Sequence, residues 1–268
     1  MPLLRSVARK HPARDPEHTF PFSVPIIREL GELDVSAPVT FLVGENGSGK
    51  STLLEGIATA ATLPTVGGQD VSTDDTLALQ RQLGRELRLT WRRRTQRGFF
   101  LRAEDFFGFT RAIARLRSDL HARLDAVEEE YADRSPYARG LARGPAAASL
   151  HELEARYGAD FDARSHGQSF LLLFQSRFVP GGLYLLDEPE AALSPQSQLG
   201  LIAMLKAMVE QDAQFIIATH SPILLAFPGA AIYSCDEAPP QRVAYDDLES
   251  VTLTRAFLQS PEQFLRRL

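Results

Sequence analysis

The sequence predicts an α/β fold built around a phosphate-binding loop, and three observations carry that prediction. A strand-like run, Val39-Thr40-Phe41-Leu42-Val43, passes through Gly44-Glu45-Asn46-Gly47-Ser48-Gly49-Lys50-Ser51-Thr52 into a helical pattern through Leu53, Leu54 and Ile57. A second apolar run, Leu183 to Leu186, ends in Asp187-Glu188. A third, Phe215 to Ala218, ends in Thr219-His220. Buried strands that end in polar residues are what an α/β sheet presents at its ligand-binding edge.

The loop is the organising element. Gly44, Gly47 and Gly49 accept positive φ, so consecutive N–H groups can curl around phosphate oxygens. The helix starting near Lys50 adds the positive end of its dipole. In this spacing Asn46, Gly47, Ser48, Gly49 and Thr52 form the cradle with Gly44. Lys50 reaches the β- and γ-phosphates, and the Ser51 hydroxyl ligates Mg²⁺.

Composition bounds the rest. The 268 residues suffice for one large α/β domain or a domain with a lobe. A net charge of −5 gives no global basic field, and a single cysteine, Cys235, leaves no disulfide framework. No run is apolar enough to span a membrane, and Met1 to Lys10 lacks a signal-peptide core. The expectation is a cytoplasmic protein without membrane insertion.

In chain order, the segment through Leu33 carries Pro12, Pro16, Pro21 and Pro25 and reads as edge strands and turns rather than a helix. Phe20 and Phe22 either stack on an adenine base or pack the first strands. Leu87 to Trp91 and Gly98 to Leu101 read as two strands around an exposed turn, Arg92 to Arg97. That turn is either a solvated hairpin tip or, with Trp91, a grip on a nucleic-acid backbone. Ile113, Leu116, Leu120, Leu124, Val127 and Tyr131 mark one face of an amphipathic helix of about 20 residues, about 30 Å long. Gly140 to Ala148 reads as a linker, followed by a Ser149/Glu152 capping box and a short helix that Gly158 ends.

Ser165-His166-Gly167-Gln168-Ser169 feeds the apolar run Phe170 to Phe174, which reads as a helix with an anion-binding start. At the end of the Leu183 run, Asp187 holds the Mg²⁺ shell beside Ser51, and Glu188 polarises the attacking water. Ser194-Pro195 starts a helix. His220, at a strand's carboxyl end, contacts the γ-phosphate.

Together these residues resemble the nucleotide-binding core of the ABC-type ATPase superfamily. The strings FLVGENGSGKSTLLE, GFFLRAEDFF, SHGQSFL, LDEPEAALSPQ and FIIATHSPILLA are similar to small stand-alone bacterial ATPases, and related forms occur in chromosome-maintenance and recombination ATPases. The resemblance implies a P-loop NTPase fold with an ABC-ATPase-like head. Its features are a mixed central sheet flanked by helices, an antiparallel β edge, and a helical and β-hairpin insertion lobe. It implies one domain over 1–268, with 61–164 inserted between Walker A and the signature. It assigns Ser165, His166, Gly167 and Gln168 to the signature, Glu188 and His220 to catalysis, and Glu104 to the Q-loop position beside the metal. Departures are His166 for a glycine, Arg164 for a leucine and Ser194 for the D-loop aspartate. The implied activity is Mg²⁺-dependent hydrolysis of ATP in a head-to-tail homodimer, where the signature of one subunit covers the ATP of the other. It drives a macromolecular process of the DNA-repair or phage-defence kind, with nucleic acid or a partner protein engaged. Alternatives are a nucleotide-gated interaction module and the ATPase subunit of a transporter with a separate permease.

Overall fold

The computed structural model describes residues 2–10, 19–66, 78–157 and 166–266. The amino-terminal third forms β1 (Leu4–Arg9), a single helical turn α1 (Pro25–Arg28), β2 (Leu33–Asp34), β3 (Val39–Val43) and α2 (Lys50–Ala61). Then come α3 (Ala78–Glu86), β4 (Leu87–Trp91), β5 (Gly98–Arg102) and two long helices, α4 (Ala103–Glu130) and α5 (Pro136–Tyr157). The last part holds α6 (His166–Arg177), β6 (Leu183–Asp187), α7 (Pro195–Glu210), β7 (Gln214–Ala218), α8 (Pro222–Leu225), β8 (Ala231–Ser234), β9 (Gln241–Arg242), α9 (Glu249–Gln259) and α10 (Pro261–Leu265).

Six strands make a mixed central sheet in the order β5-β6-β7-β3-β8-β9. The first five run parallel, and β9 is antiparallel to β8. Every residue of β3, β6 and β7 is buried, because a parallel sheet is covered on both faces. Side chains alternate between two cores. Phe41, Tyr184, Leu186, Phe215 and Ile217 face the first, where Phe99, Phe170 and Phe174 pack from β5 and α6. Leu42, Leu183, Leu185 and Ile216 face the second, against Leu53, Leu54 and Ile57 of α2. The alternation fixes register: a slip of one residue would exchange the two faces.

A second, antiparallel sheet has the order β2-β1-β4. It is tied to the central sheet by Gln214, fully buried at the start of β7. Its Oε1 accepts from the Leu3 and Leu4 N–H groups at 2.8 and 2.6 Å, and its Nε2 donates to the Leu4 and Val35 carbonyls at 2.9 and 2.5 Å. With a further bond from Nε2 to the Ala37 carbonyl at 3.3 Å, one buried amide serves five backbone groups at the junction of the two sheets.

Several expectations need correction. The strands around Arg92–Arg97 do not pair as a hairpin. β4 pairs with β1, whereas β5 pairs with β6, so the turn crosses from one sheet to the other. Burial decides this, since Phe99, Phe100 and Leu101 are buried in the central sheet while Arg88 and Thr90 of β4 stay exposed. The Gly140–Ala148 linker is instead helix, inside α5 with Pro145 in its interior, and α5 packs alongside α4. Ala146, Ala147 and Ala148 are strong helix formers, and the buried Ala146 gives packing that offsets the proline defect. The capping-box helix is accordingly the second half of α5. The amphipathic helix begins ten residues before Ile113, so α4 has 28 residues and spans about 42 Å. In the amino-terminal segment, Pro25 opens one helical turn where strands and turns were expected. Phe22 packs in the second core, whereas Phe20 is 43% exposed.

Candidate functional site

The site is assembled at the carboxyl ends of β3, β6 and β7, which lie side by side. After β3, Gly44, Gly47 and Gly49 take φ values of 141°, 86° and 99°. These left-handed conformations let the loop wrap back over the start of α2, which begins at Lys50. Lys50 is almost fully buried. Its Nζ donates to the carbonyls of Gly44 and Glu45 at 2.6 and 2.8 Å, so the cation is held at the loop's centre. The Ser48 hydroxyl is buried beside it without a hydrogen-bond partner. Asn46 and Gly47 are exposed at the tip, and Ser51 and Thr52 are half-buried on the first turn of α2.

β6 delivers Asp187 to the same place. Its carboxylate lies near the Ser51 hydroxyl, close enough for that hydroxyl to favour the ionised form. Burial pushes its pKa up to about 7; the Ser51 hydroxyl and Arg102 oppose this, and the charges of Glu188 and Glu55 add to it. Glu188 follows in a left-handed conformation, φ 49°, unusual for a side-chain-bearing residue. That turn lets the Glu188 N–H donate to the Ala218 carbonyl at 2.9 Å, tying the end of β6 to that of β7. Both Glu188 and His220 are about two-fifths exposed, with His220 Nε2 3.7 Å from Glu188 Oε1. Glu190 fixes the histidine backbone: its Oε1 accepts from the His220 N–H at 2.6 Å.

Three supporting features escaped the sequence reading. Asp236, just after β8, accepts from the Glu45 N–H at 2.6 Å, and a Cβ on Gly44 would lie 2.8 Å from the same carboxylate oxygen. Arg102, at the end of β5, forms a nearly buried ion pair with Glu55 of α2 at 2.8 Å. Ser221 caps α8 and donates to Gln198 of α7, bracing the backbone after His220. All three depend on long-range juxtaposition, and the local spacing carries no trace of them. Cys235 is buried, which pushes its thiol up to about 12 and leaves it a packing residue.

Of the residues expected at the site, Lys50, Ser51, Asp187, Glu188 and His220 come together. Ser165 lies outside the described residues. His166, Gly167 and Gln168 form the first turn of α6; the side chains of His166 and Gln168, like that of Glu104 at the start of α4, lie outside the description. Asp187 offers a fit test for Mg²⁺: its Oδ1 is buried without a partner, while the carboxylate also meets the Ser51 hydroxyl. A hard cation bound by oxygens suits that orphaned atom. Among the described residues no group of three His, Cys, Asp or Glu side chains is placed to hold a metal, so phosphate and water oxygens would complete the shell.

A family model described as "AAA domain, putative AbiEii toxin, Type IV TA system" matches residues 165–226, and a second, described as "AAA domain", matches residues 22–98. The macrolide export ATP-binding/permease protein MacB of Salmonella typhi and of Salmonella typhimurium is 28% identical over 236 residues, 83% of this chain. The chain spans 31% of the length of those relatives. Among solved structures, an inward-facing putative metal-chelate type ABC transporter aligns with 96% of this chain and 90% of its own, at 18% identity and a TM-score of 0.48. The Smc head domain from Pyrococcus furiosus, bound to the C-terminal domain of ScpA, aligns with 98% and 100%, at 12% identity and a TM-score of 0.46. The chain resembles AAA/ABC-type ATPase domains, and its fold is the α/β P-loop fold with a mixed central sheet and a separate antiparallel sheet.

Proposed function

We propose that the protein binds ATP with Mg²⁺ at the carboxyl edge of the central sheet and hydrolyses it. The observation that carries this is the meeting of Ser51 and the buried Asp187 beside Lys50, one residue before Glu188. Gly44 to Thr52 wraps the phosphates, and Lys50 exchanges its carbonyl partners for phosphate oxygens. Ser51 and Asp187 would hold Mg²⁺, which would supply charge neutralisation for the phosphates. Glu188 accepts a proton from water as its oxygen attacks the γ-phosphorus, and the bond to the β-phosphate oxygen breaks to release ADP. His220, oriented by Glu190, contacts the γ-phosphate, and Glu104 takes the Q-loop position beside the metal.

The protein works as a head-to-tail, ATP-closed homodimer. Ser165 to Gln168 of one subunit covers the nucleotide of the other, which supplies the half of the site that β3, β6 and β7 leave open. The whole of 1–268 acts as one ATPase unit, with α4 and α5 as the projecting part of the 61–164 insertion. Turnover drives a macromolecular process of the repair or defence kind in the cytoplasm. A second reading is favoured by the export ATP-binding/permease relatives: an ATPase piece that works with a separate permease. No helix among the described residues is long and apolar enough to cross a membrane.

Glu188→Gln tests the mechanism. It is expected to bind Mg-ATP as the parent does, to lose at least about a hundredfold in turnover, and to accumulate as a dimer. Parental turnover in this variant would remove Glu188 from catalysis. Turnover stimulated by reconstituted membranes would favour the permease reading; stimulation by nucleic acid would favour the other.

A further inference from the structure

We infer that the opposite, amino edge of the central sheet carries a binding site for single-stranded nucleic acid, centred on the Arg92–Arg97 turn. This goes beyond the ATPase reading and does not rest on it. β5, β6 and β7 begin in register at Gly98, Leu183 and Gln214, so the turn before β5 lies beside the segments before β6 and β7. It is separated from the nucleotide edge by the length of the strands, about 15 Å.

Two adjoining clefts flank the turn. One, of 440 Å³, is lined by Trp91 together with Arg5, Thr90 and Arg92. The other, of 330 Å³, is lined by Arg93, Arg94 and Arg97 against Pro180 and Gly181. Trp91 packs partly against the second core and lines the cleft with the rest of its ring, which offers a base a stacking surface, and the neighbouring guanidinium groups are a seat for phosphate oxygens. The turn is held in place. The Arg92 and Arg93 N–H groups both donate to the Leu3 carbonyl, at 2.8 and 3.2 Å. The Thr95 hydroxyl donates to the Gly181 carbonyl at 3.1 Å, and Arg97 Nη1 donates to the Pro180 carbonyl at 3.3 Å. Only one acidic group approaches within ion-pair range among the described residues, Asp212 at 4.0 Å from Arg93. Asp212 also lines that cleft, so it offsets part of the charge of Arg93, while Arg94 and Arg97 stay exposed with no acidic group in ion-pair range among the described residues. Small separate clefts suit a base and its neighbouring phosphate. A duplex would have to lie along the broader surface of a chain whose net charge is −5.

Trp91 is the sole tryptophan, so the site carries its own reporter. The experiment is titration of a fluorescein-labelled dT15 oligonucleotide with the full chain in 50 mM salt, without ATP or Mg²⁺. It follows anisotropy together with Trp91 emission. The parent is expected to bind at micromolar concentration with quenching of Trp91. The triple variant R93Q/R94Q/R97Q is expected to bind at least about tenfold more weakly and to flatten the log–log salt dependence by about two. Trp91→Leu weakens binding by about tenfold at an unchanged salt slope, and Trp91→Phe restores part of it. Thermal melts of each variant establish that it is folded. Since no nucleotide is present, failure of the ATPase reading leaves this result untouched. The proposal is overturned if the parent does not bind, or if the triple variant binds as the parent does. Equal binding of heparin or duplex with no change in Trp91 emission also overturns it, because that is polyanion attraction without a stacked base.

Discussion

Asp187, proposed as a metal ligand, works against the fold that holds it. In the unfolded chain its carboxyl ionises near pH 4, whereas burial holds the folded value at about 7. Between those values the folded state keeps a proton that the unfolded state has released. Stability from this group is therefore fully present below about pH 4 and is lost as pH rises toward 7, at up to about 1.4 kcal/mol per pH unit. Asp187→Asn abolishes that loss. Thermal melts of the nucleotide-free variant should show a gain over the parent that is largest at pH 8 and shrinks toward pH 4. A gain of equal size at both pH values would contradict the buried-carboxylate argument. Much of this site was legible in the sequence, because the loop spacing and the Asp187-Glu188 pair are local. Asp236 was not: its partner, the Glu45 N–H, is 191 residues away.

At the scale of elements, the strands were easier to read than the joints between them. Runs such as Leu183 to Leu186 announce burial on both faces. Gln214 announces nothing, since a polar residue next to Phe215 looks like the solvated start of a strand. It is the buried joint between the two sheets. Gln214→Leu keeps the volume but strands the Leu3 and Leu4 N–H groups and the Val35 carbonyl, at about 1–3 kcal/mol for each buried group left unpaired. A loss of roughly 3 kcal/mol in urea unfolding is expected, and a change below about 0.5 kcal/mol would show that the joint is not needed. α5 was misread for a related reason. Gly140, Gly144 and Pro145 carry local signals for a break, while the contact with α4 that overrides them is tertiary. The turn at Arg92–Arg97 was recognised, but the sheets it joins follow from which strand finds a buried neighbour.

On the scale of the whole molecule, a mixing experiment tests the proposed closure of the site by a second subunit. Lys50→Ala keeps an intact signature, and Ser165→Arg keeps an intact phosphate loop, so each alone is expected to be nearly inactive. Mixed, they form dimers with one complete site and should regain part of the parental ATPase activity. No recovery, together with a Glu188→Gln protein that stays monomeric in saturating Mg-ATP, would rule out closure in trans. Closure has meaning only if the loop holds ATP, and that rests on the buried Lys50 cation. Equilibrium binding of a fluorescent ATP analogue to the parent and to folded Lys50→Ala is the most direct test. Saturable binding by the parent and none by the variant at the same concentrations is the expected result. Equal affinity of the two proteins would contradict the site itself.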